Sequence, residues 1–172
     1  LGDVYKRQVL NHLDLGGVHF TGSTYVFSTI WLAIGSDIRK YYSYPRIVGE
    51  TGGKDFIFAH ASADVDVLVT GLVRGAFEYQ GQKCSAASRV YIPEGLWAEI
   101  KDSLVEETNA IAMGDPRDFR NFMGAVIDKA AFDKICGYIQ RAKESPDAEI
   151  IAGGECDDSR GYFIRPTIVL AR

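Results

Sequence analysis

The stretch of this 172-residue chain best suited to chemistry is Phe77-Glu78-Tyr79-Gln80-Gly81-Gln82-Lys83-Cys84-Ser85-Ala86. It sets a cysteine just beyond the end of an apolar helical pattern, in a turn rich in Gly and Gln and beside a lysine. A thiol becomes a nucleophile when nearby positive charge or backbone N–H donors stabilise its thiolate. A structural cysteine belongs inside a periodic apolar pattern, because free cysteine is among the most buried residue types. Cys84 stands outside such a pattern. Cys136 lies inside one, four residues after Phe132 on a helical face, and reads as core packing. Cys156 falls in a polar turn with nothing nearby to activate it.

Two further stretches carry chemistry. Arg46-Ile47-Val48 reads as a strand running into Gly49-Glu50-Thr51-Gly52-Gly53-Lys54. An ATP-binding P-loop is excluded, since it needs four residues between its glycines and Ser or Thr after its lysine. Here Gly49 and Gly53 enclose three residues, and Asp55 follows Lys54. What remains is Glu50 in a glycine-rich turn at a strand end, where α/β proteins keep catalytic groups; the alternative is an exposed loop acid. Upstream, Val18-His19-Phe20 reads as a strand and Thr21-Gly22-Ser23-Thr24 as a turn. Val26, Phe27, Ile30, Trp31 and Ile34 then follow at helical spacing. A strand, a Gly-Ser turn and a helix N-terminus make an anion site. The G-x-G-x-x-G fingerprint is absent, so a plain strand–helix connection stands as the alternative.

The elements that must position these residues alternate. Asp55–Ala59 reads as a strand. Asp64 caps a helix with Val65, Leu68, Leu72, Val73 and Phe77 in the 3-4 pattern, which delivers the chain to Cys84. Arg89–Pro93 is a strand, and Trp97, Ile100, Leu104 and Val105 mark a helix that ends before Met113. Asp128 caps another helix with Phe132, Ile135 and Ile139 on one face, stopped near Ser145-Pro146. Strands are expected over Glu149–Ala152, Tyr162–Ile164 and Thr167–Val169. The alternation predicts α/β architecture with mostly parallel sheet.

Composition narrows the classes. Hydrophobic residues make up 47% and charged residues 24%, and the net charge of −4 supplies no basic footprint for nucleic acid. No apolar run approaches the roughly 18 residues of a spanning helix, so no membrane partner is expected. Three cysteines are an odd and sparse set, unlike a secreted disulfide framework, and predict a reducing intracellular compartment. No metal site is expected. Residues 1–8 fit no following element and are expected to be a non-native leader. The last residues, Thr167-Ile168-Val169-Leu170-Ala171-Arg172, end as though a strand had been cut, so an internal piece of a longer protein is expected.

The order of the three stretches resembles the aldehyde dehydrogenase superfamily. Phe20-Thr21-Gly22-Ser23-Thr24 is similar to its cofactor turn. Glu50-Thr51-Gly52-Gly53-Lys54 is similar to its glutamate motif, with Thr51 in place of the common leucine. Phe77 to Cys84 is similar to its cysteine motif, aromatic-x-x-x-Gly-Gln-x-Cys, and the 34-residue step from Glu50 to Cys84 also matches. Within the superfamily the chain resembles the branch that oxidises glutamate γ-semialdehyde, the open form of 1-pyrroline-5-carboxylate, in proline breakdown. Tyr44-Pro45-Arg46, Gly153–Ser159 and Gly161-Tyr162-Phe163 carry that likeness. The chain departs from many members at Val26-Phe27, where they carry a second glycine.

The resemblance implies a fold: the end of an NAD-binding Rossmann-type domain over residues 9–50, and part of a catalytic α/β domain over 51–172. It implies Cys84 as nucleophile and Glu50 as the base that activates water. It implies NAD as cofactor, with NADP left open, lying against Gly22 and Ser23 with Thr24, Tyr25 and Val26 nearby. It implies Lys83 and Ser85 as neighbours that hold the substrate's α-carboxylate. The partner would be a small aldehyde, and the full-length protein a homo-oligomer in a bacterial cytoplasm or mitochondrial matrix. The 172 residues alone are expected to bind NAD weakly and to lack turnover. Two rivals remain at this point. A cysteine hydrolase would pair its thiol with histidine, but His12, His19 and His60 sit in no motif. A non-catalytic nucleotide-binding scaffold would have no physical reason to keep both Glu50 and Cys84.

Overall fold

The computed structural model describes residues 2–171. The chain divides into two compact units, Leu1–Gly53 and Lys54–Arg172.

The first unit contains α1 (Gly2–Leu10), β1 (Gly17–Thr21), α2 (Thr24–Gly35), a 3₁₀ turn at Ile38–Lys40 and β2 (Arg46–Glu50). β1 and β2 are parallel, in a register that sets Thr21 opposite Glu50. Ile30 and Ile34, one turn apart on α2, bury against Tyr41, with Val18, Phe20, Val26 and Ile47 packed around them. The opening residues, which fit no element by pattern, are helical. Tyr41 Oη donates to the Leu10 carbonyl at 2.6 Å and the Tyr42 amide donates to Leu13 at 3.0 Å, tying the end of α1 and the turn after it to this core.

The second unit contains β3 (Phe56–Phe58), α3 (Val65–Phe77), β4 (Arg89–Tyr91), α4 (Glu94–Asn109), α5 (Lys129–Glu144), β5 (Ala148–Ala152), β6 (Cys156–Asp157), β7 (Phe163–Ile164) and β8 (Ile168–Ala171). Its main core joins Val69, Leu72 and Val73 of α3 to Leu96, Ile100 and Leu104 of α4, at helical spacing on both sides. A second core sets Phe132 and Ile139 of α5 against Val126 and Ile164, and Cys136 packs at its edge. The helix starts follow local side-chain chemistry. Asp64 accepts from the Val67 amide at 3.0 Å, and Asp128 from the Ala131 amide at 2.8 Å.

The α/β class holds, but the sheet is less parallel than strand–helix alternation predicts. β1–β2 and β3–β4 are parallel pairs, whereas β5–β8 and β6–β7 are antiparallel. No helix separates β6 from β7, so a short polar turn returns the chain antiparallel. β5 leaves the sheet at Gly153, where φ is +69° and a Cβ would lie 1.9 Å from the Pro166 carbonyl oxygen. Gly153→Ala must move backbone rather than a flexible side chain. It is expected to cost about 3 kcal/mol and to lower the thermal unfolding midpoint visibly. An unchanged midpoint in calorimetry would show that the β5–β8 end yields easily.

Candidate active site

The sequence-predicted residues fall into two groups, one in each unit. In the first unit, β1 and β2 end side by side. The Gly22 amide donates to the Glu50 carbonyl at 3.1 Å, so the Gly-Ser turn and the glutamate meet at the carboxyl ends of two parallel strands. That is the edge of an α/β sheet where ligands are bound. Ser23 caps α2: its hydroxyl accepts from the Val26 amide at 3.2 Å, and its carbonyl accepts from Phe27 at 3.0 Å. The first-turn amides of Thr24 and Tyr25 have no intrahelical acceptor. Gly22, Ser23, Thr24, Tyr25 and Glu50 are all exposed, and Val26 is half-buried.

The structure explains the departure at Val26-Phe27. The Phe27 ring stacks on Phe20 with centroids 6.0 Å apart and lies over Gly49, where a Cβ would come within 2.3 Å of it. The ring thus covers the backbone just before Glu50, and only glycine leaves it room.

In the second unit, α3 ends at Phe77 and the chain enters a turn of the opposite hand. Tyr79 (φ 51°, ψ 37°), Gln80 (φ 60°, ψ 27°) and Gly81 (φ 67°) are consecutive left-handed residues. For Tyr79 and Gln80 this conformation costs roughly 1–2 kcal/mol each, so the surroundings must impose it. Two side-chain clamps do so. Gln80 Nε2 donates to the Ala125 carbonyl at 3.2 Å, and the Ile127 amide donates to Gln82 Oε1 at 3.1 Å. Val126, between those two, donates its amide to the Tyr162 carbonyl at 2.8 Å. The next turn, closed by the Ala86 amide on the Lys83 carbonyl at 3.3 Å, carries Cys84 and Ser85, both exposed. The Ala87 amide returns to Gly75 of α3 at 3.0 Å.

Lys83 is turned elsewhere. Its ammonium donates to Glu78 Oε2 at 3.1 Å, and Arg74 pairs with the same carboxylate one helical turn back. The Lys83 hydrogen bond, with the Arg74 and Lys83 charges, holds the Glu78 carboxyl below its ordinary value of 4.5. A depressed carboxylate pKa adds stability above the ordinary value and loses it as pH falls through the folded-state pKa. The difference in unfolding midpoint between the native chain and Glu78→Gln is therefore expected to stay constant from neutral pH down to about 5 and to shrink in stronger acid. A difference that shrank between pH 7 and 5 would contradict the pairing.

Gln80 and Gln82 emerge from the structure as positioning residues; the motif displays both without revealing their work. Their partners lie 45 residues along the chain, and only Gly81 signals a left-handed turn in advance. Joint replacement of Gln80 and Gln82 by Ala is expected to remove both bonds and to quicken amide hydrogen exchange across residues 79–82 about tenfold. Exchange at the native rate would remove the clamps from the account of the turn.

Fold and site together define an α/β chain that holds an acid beside a Gly-Ser turn at a helix start, and an exposed thiol just after a clamped turn. Comparison with known proteins is more specific. The aldehyde dehydrogenase family model matches residues 2–171, and the chain belongs to that family. It is 53% identical over 173 residues to the mitochondrial delta-1-pyrroline-5-carboxylate dehydrogenase of Dictyostelium discoideum, covering 99% of this chain and 31% of that protein. It is 46% identical over 169 residues to the human protein of the same name, covering 98% and 30%. The Mycobacterium tuberculosis delta-pyrroline-5-carboxylate dehydrogenase bound with NAD superposes with a TM-score of 0.94 at 49% identity, over 99% of this chain and 32% of that one. The Thermus 1-pyrroline-5-carboxylate dehydrogenase with bound NAD gives 0.85 at 30% identity, over 98% and 32%. The chain thus spans about a third of the length of the curated relatives it matches. Among the described residues no helix is long and apolar enough to cross a membrane.

Proposed function

We propose that the whole protein oxidises L-glutamate γ-semialdehyde to L-glutamate with NAD as hydride acceptor, and that this chain supplies its nucleophile, its base and part of its nucleotide turn. On this reading residues 9–50 close the cofactor-binding domain and residues 51–172 begin the catalytic one. The observation that carries the reading is Cys84: an exposed thiol in the family's cysteine motif, directly after the turn held by Gln80 and Gln82. The names of the relatives, several with NAD bound, support the substrate and cofactor.

The residues at the nucleotide turn fit the cofactor. Gly22 is exposed and backbone-bonded to Glu50, and a Cβ there would meet the Phe20 ring at 2.6 Å. Ser23, Thr24, Tyr25 and Val26 build a helix N-terminus suited to a pyrophosphate. When bound, the nicotinamide accepts the hydride released at the aldehyde carbon. The protein's own work is the rest. The Cys84 thiolate adds to the aldehyde carbon, and its own amide is the donor for the oxyanion that develops. Glu50 takes a proton from the water that cleaves the resulting thioester. Ser85 and Lys83 hold the substrate's α-carboxylate. Lys83 already carries Glu78, so a substrate carboxylate would compete with Glu78 for the ammonium.

The full-length protein is read as a homo-oligomer working in a mitochondrial matrix or a bacterial cytoplasm. Choice between NAD and NADP belongs to residues outside this chain. The test of substrate class is NADH formation by the full-length protein with 1-pyrroline-5-carboxylate against short aliphatic aldehydes. A preference for the unsubstituted aldehydes would move the protein to another branch of its family.

A further inference from the structure

Cys136 and Cys156 are 20 positions apart in sequence, on different elements, and have no part in the proposed reaction. The fold brings them together. Cys136 lies half-buried on α5 and Cys156 exposed on β6, and both line one shallow cavity with Gln140, Lys143, Gly154 and Glu155. Both cysteines border the same cavity, which makes their side chains neighbours across the helix and the strand. Both are nonetheless free thiols here rather than a formed disulfide.

The backbone on both sides of the pair is fixed. Lys143 of α5 donates from Nζ to the Gly154 carbonyl at 2.8 Å, holding the helix against the segment that leads into Cys156. The Gly154 amide donates to Thr167 Oγ1 at 3.0 Å, and the Arg165 amide donates to the Glu155 carbonyl at 2.9 Å. Arg165 in turn reaches the Asn109 carbonyl at 2.7 Å. Two thiols presented by anchored backbone need little chain movement to join, which is the condition for an unstrained disulfide.

We propose that Cys136 and Cys156 form a reversible disulfide, a modification site whose co-reactant is a small-molecule disulfide such as oxidised glutathione. The exposed Cys156 thiolate attacks one sulfur of the small disulfide, forming a mixed disulfide and expelling one small thiolate. The Cys136 thiolate then attacks the Cys156 sulfur, closing the protein disulfide and expelling the second small thiolate. The two protons lost by the cysteines end on the two departing thiols. The two cysteines are oxidised and the small disulfide is reduced to two thiols. A reducing pool keeps the pair open, and a rise in small disulfides closes it. The closed form would staple α5 to the β6–β7 turn. The Tyr162 carbonyl in that turn accepts from Val126, between the two residues that clamp the turn preceding Cys84.

The test uses the full-length protein, incubated with oxidised glutathione, blocked with an alkylating reagent and digested with trypsin without reduction. The expected product is one linked species joining peptide 135–141, which carries Cys136, to peptide 144–160, which carries Cys156. It should vanish on treatment with dithiothreitol. Cys136→Ser should stop the reaction at a glutathione adduct on Cys156. Full alkylation of both cysteines after oxidation would overturn the proposal. So would a Cys156 adduct that persists with Cys136 present, or a link from either cysteine to Cys84. The readout is covalent and needs no turnover, so its failure leaves the catalytic reading untouched, and failure of that reading leaves the disulfide untouched.

Discussion

On the proposed roles, Cys84→Ala in the full-length protein is expected to reduce NADH production by on the order of a thousandfold or more, because the covalent step then has no substitute nucleophile. Cys84 is exposed, so removing its sulfur leaves no cavity in either core of its unit. The variant should therefore unfold at the native temperature, and loss of activity cannot then be ascribed to loss of fold. Cys136 and Cys156 sit at a different place in the same unit and serve as controls: serine at either position should leave turnover under reducing conditions close to native. A Cys84→Ala enzyme that kept a tenth of its rate would remove Cys84 from the nucleophile's role, whatever the motif looks like.

The second large effect concerns Glu50. Glu50→Gln keeps the side chain's size and removes the carboxylate proposed as proton acceptor. The step expected to fail is hydrolysis of the thioester, by roughly a hundredfold or more. Acylation should survive. The first turnover would then release NADH in a burst close to one equivalent per active site, followed by a slow steady state. Intact-mass measurement should find the acyl group on the protein. Absence of a burst would assign Glu50 to the first half of the reaction instead. An unchanged steady state would return it to an ordinary strand-end acid. Its carbonyl, which accepts from Gly22, is untouched by the substitution, so the turn should keep its shape.

Much of this was legible in the residues because it depends on local chemistry. Asp64, Asp128 and Ser23 cap the helices expected to follow them, since a side-chain oxygen and an amide three residues on need no distant partner. The faces of α3 and α5 follow from apolar spacing. What escaped depends on distant parts of the chain. Tyr79 and Gln80 are not residues that announce a left-handed turn, and the carbonyl and amide that enforce it come from Ala125 and Ile127. Whether β5 pairs parallel or antiparallel with β8 is a matter of connection, which strand composition does not encode. The meeting of Cys136 and Cys156 likewise needs α5 and the β6–β7 turn to be folded together. Phe27 looked like a departure from a glycine pattern, and only its contact with Gly49 shows what it does.

The bond from the Gly22 amide to the Glu50 carbonyl has a bearing on how such a protein evolves. On the proposed roles, one residue belongs to nucleotide binding and the other to water activation, yet their backbones share a hydrogen bond. A mutation that reshapes the Gly22-Ser23 turn for a different nucleotide would also displace the peptide that carries the base. Lineages exploring cofactor preference at this turn would thus meet slower hydrolysis first. Adaptation to a new nucleotide is easier at contacts remote from this turn.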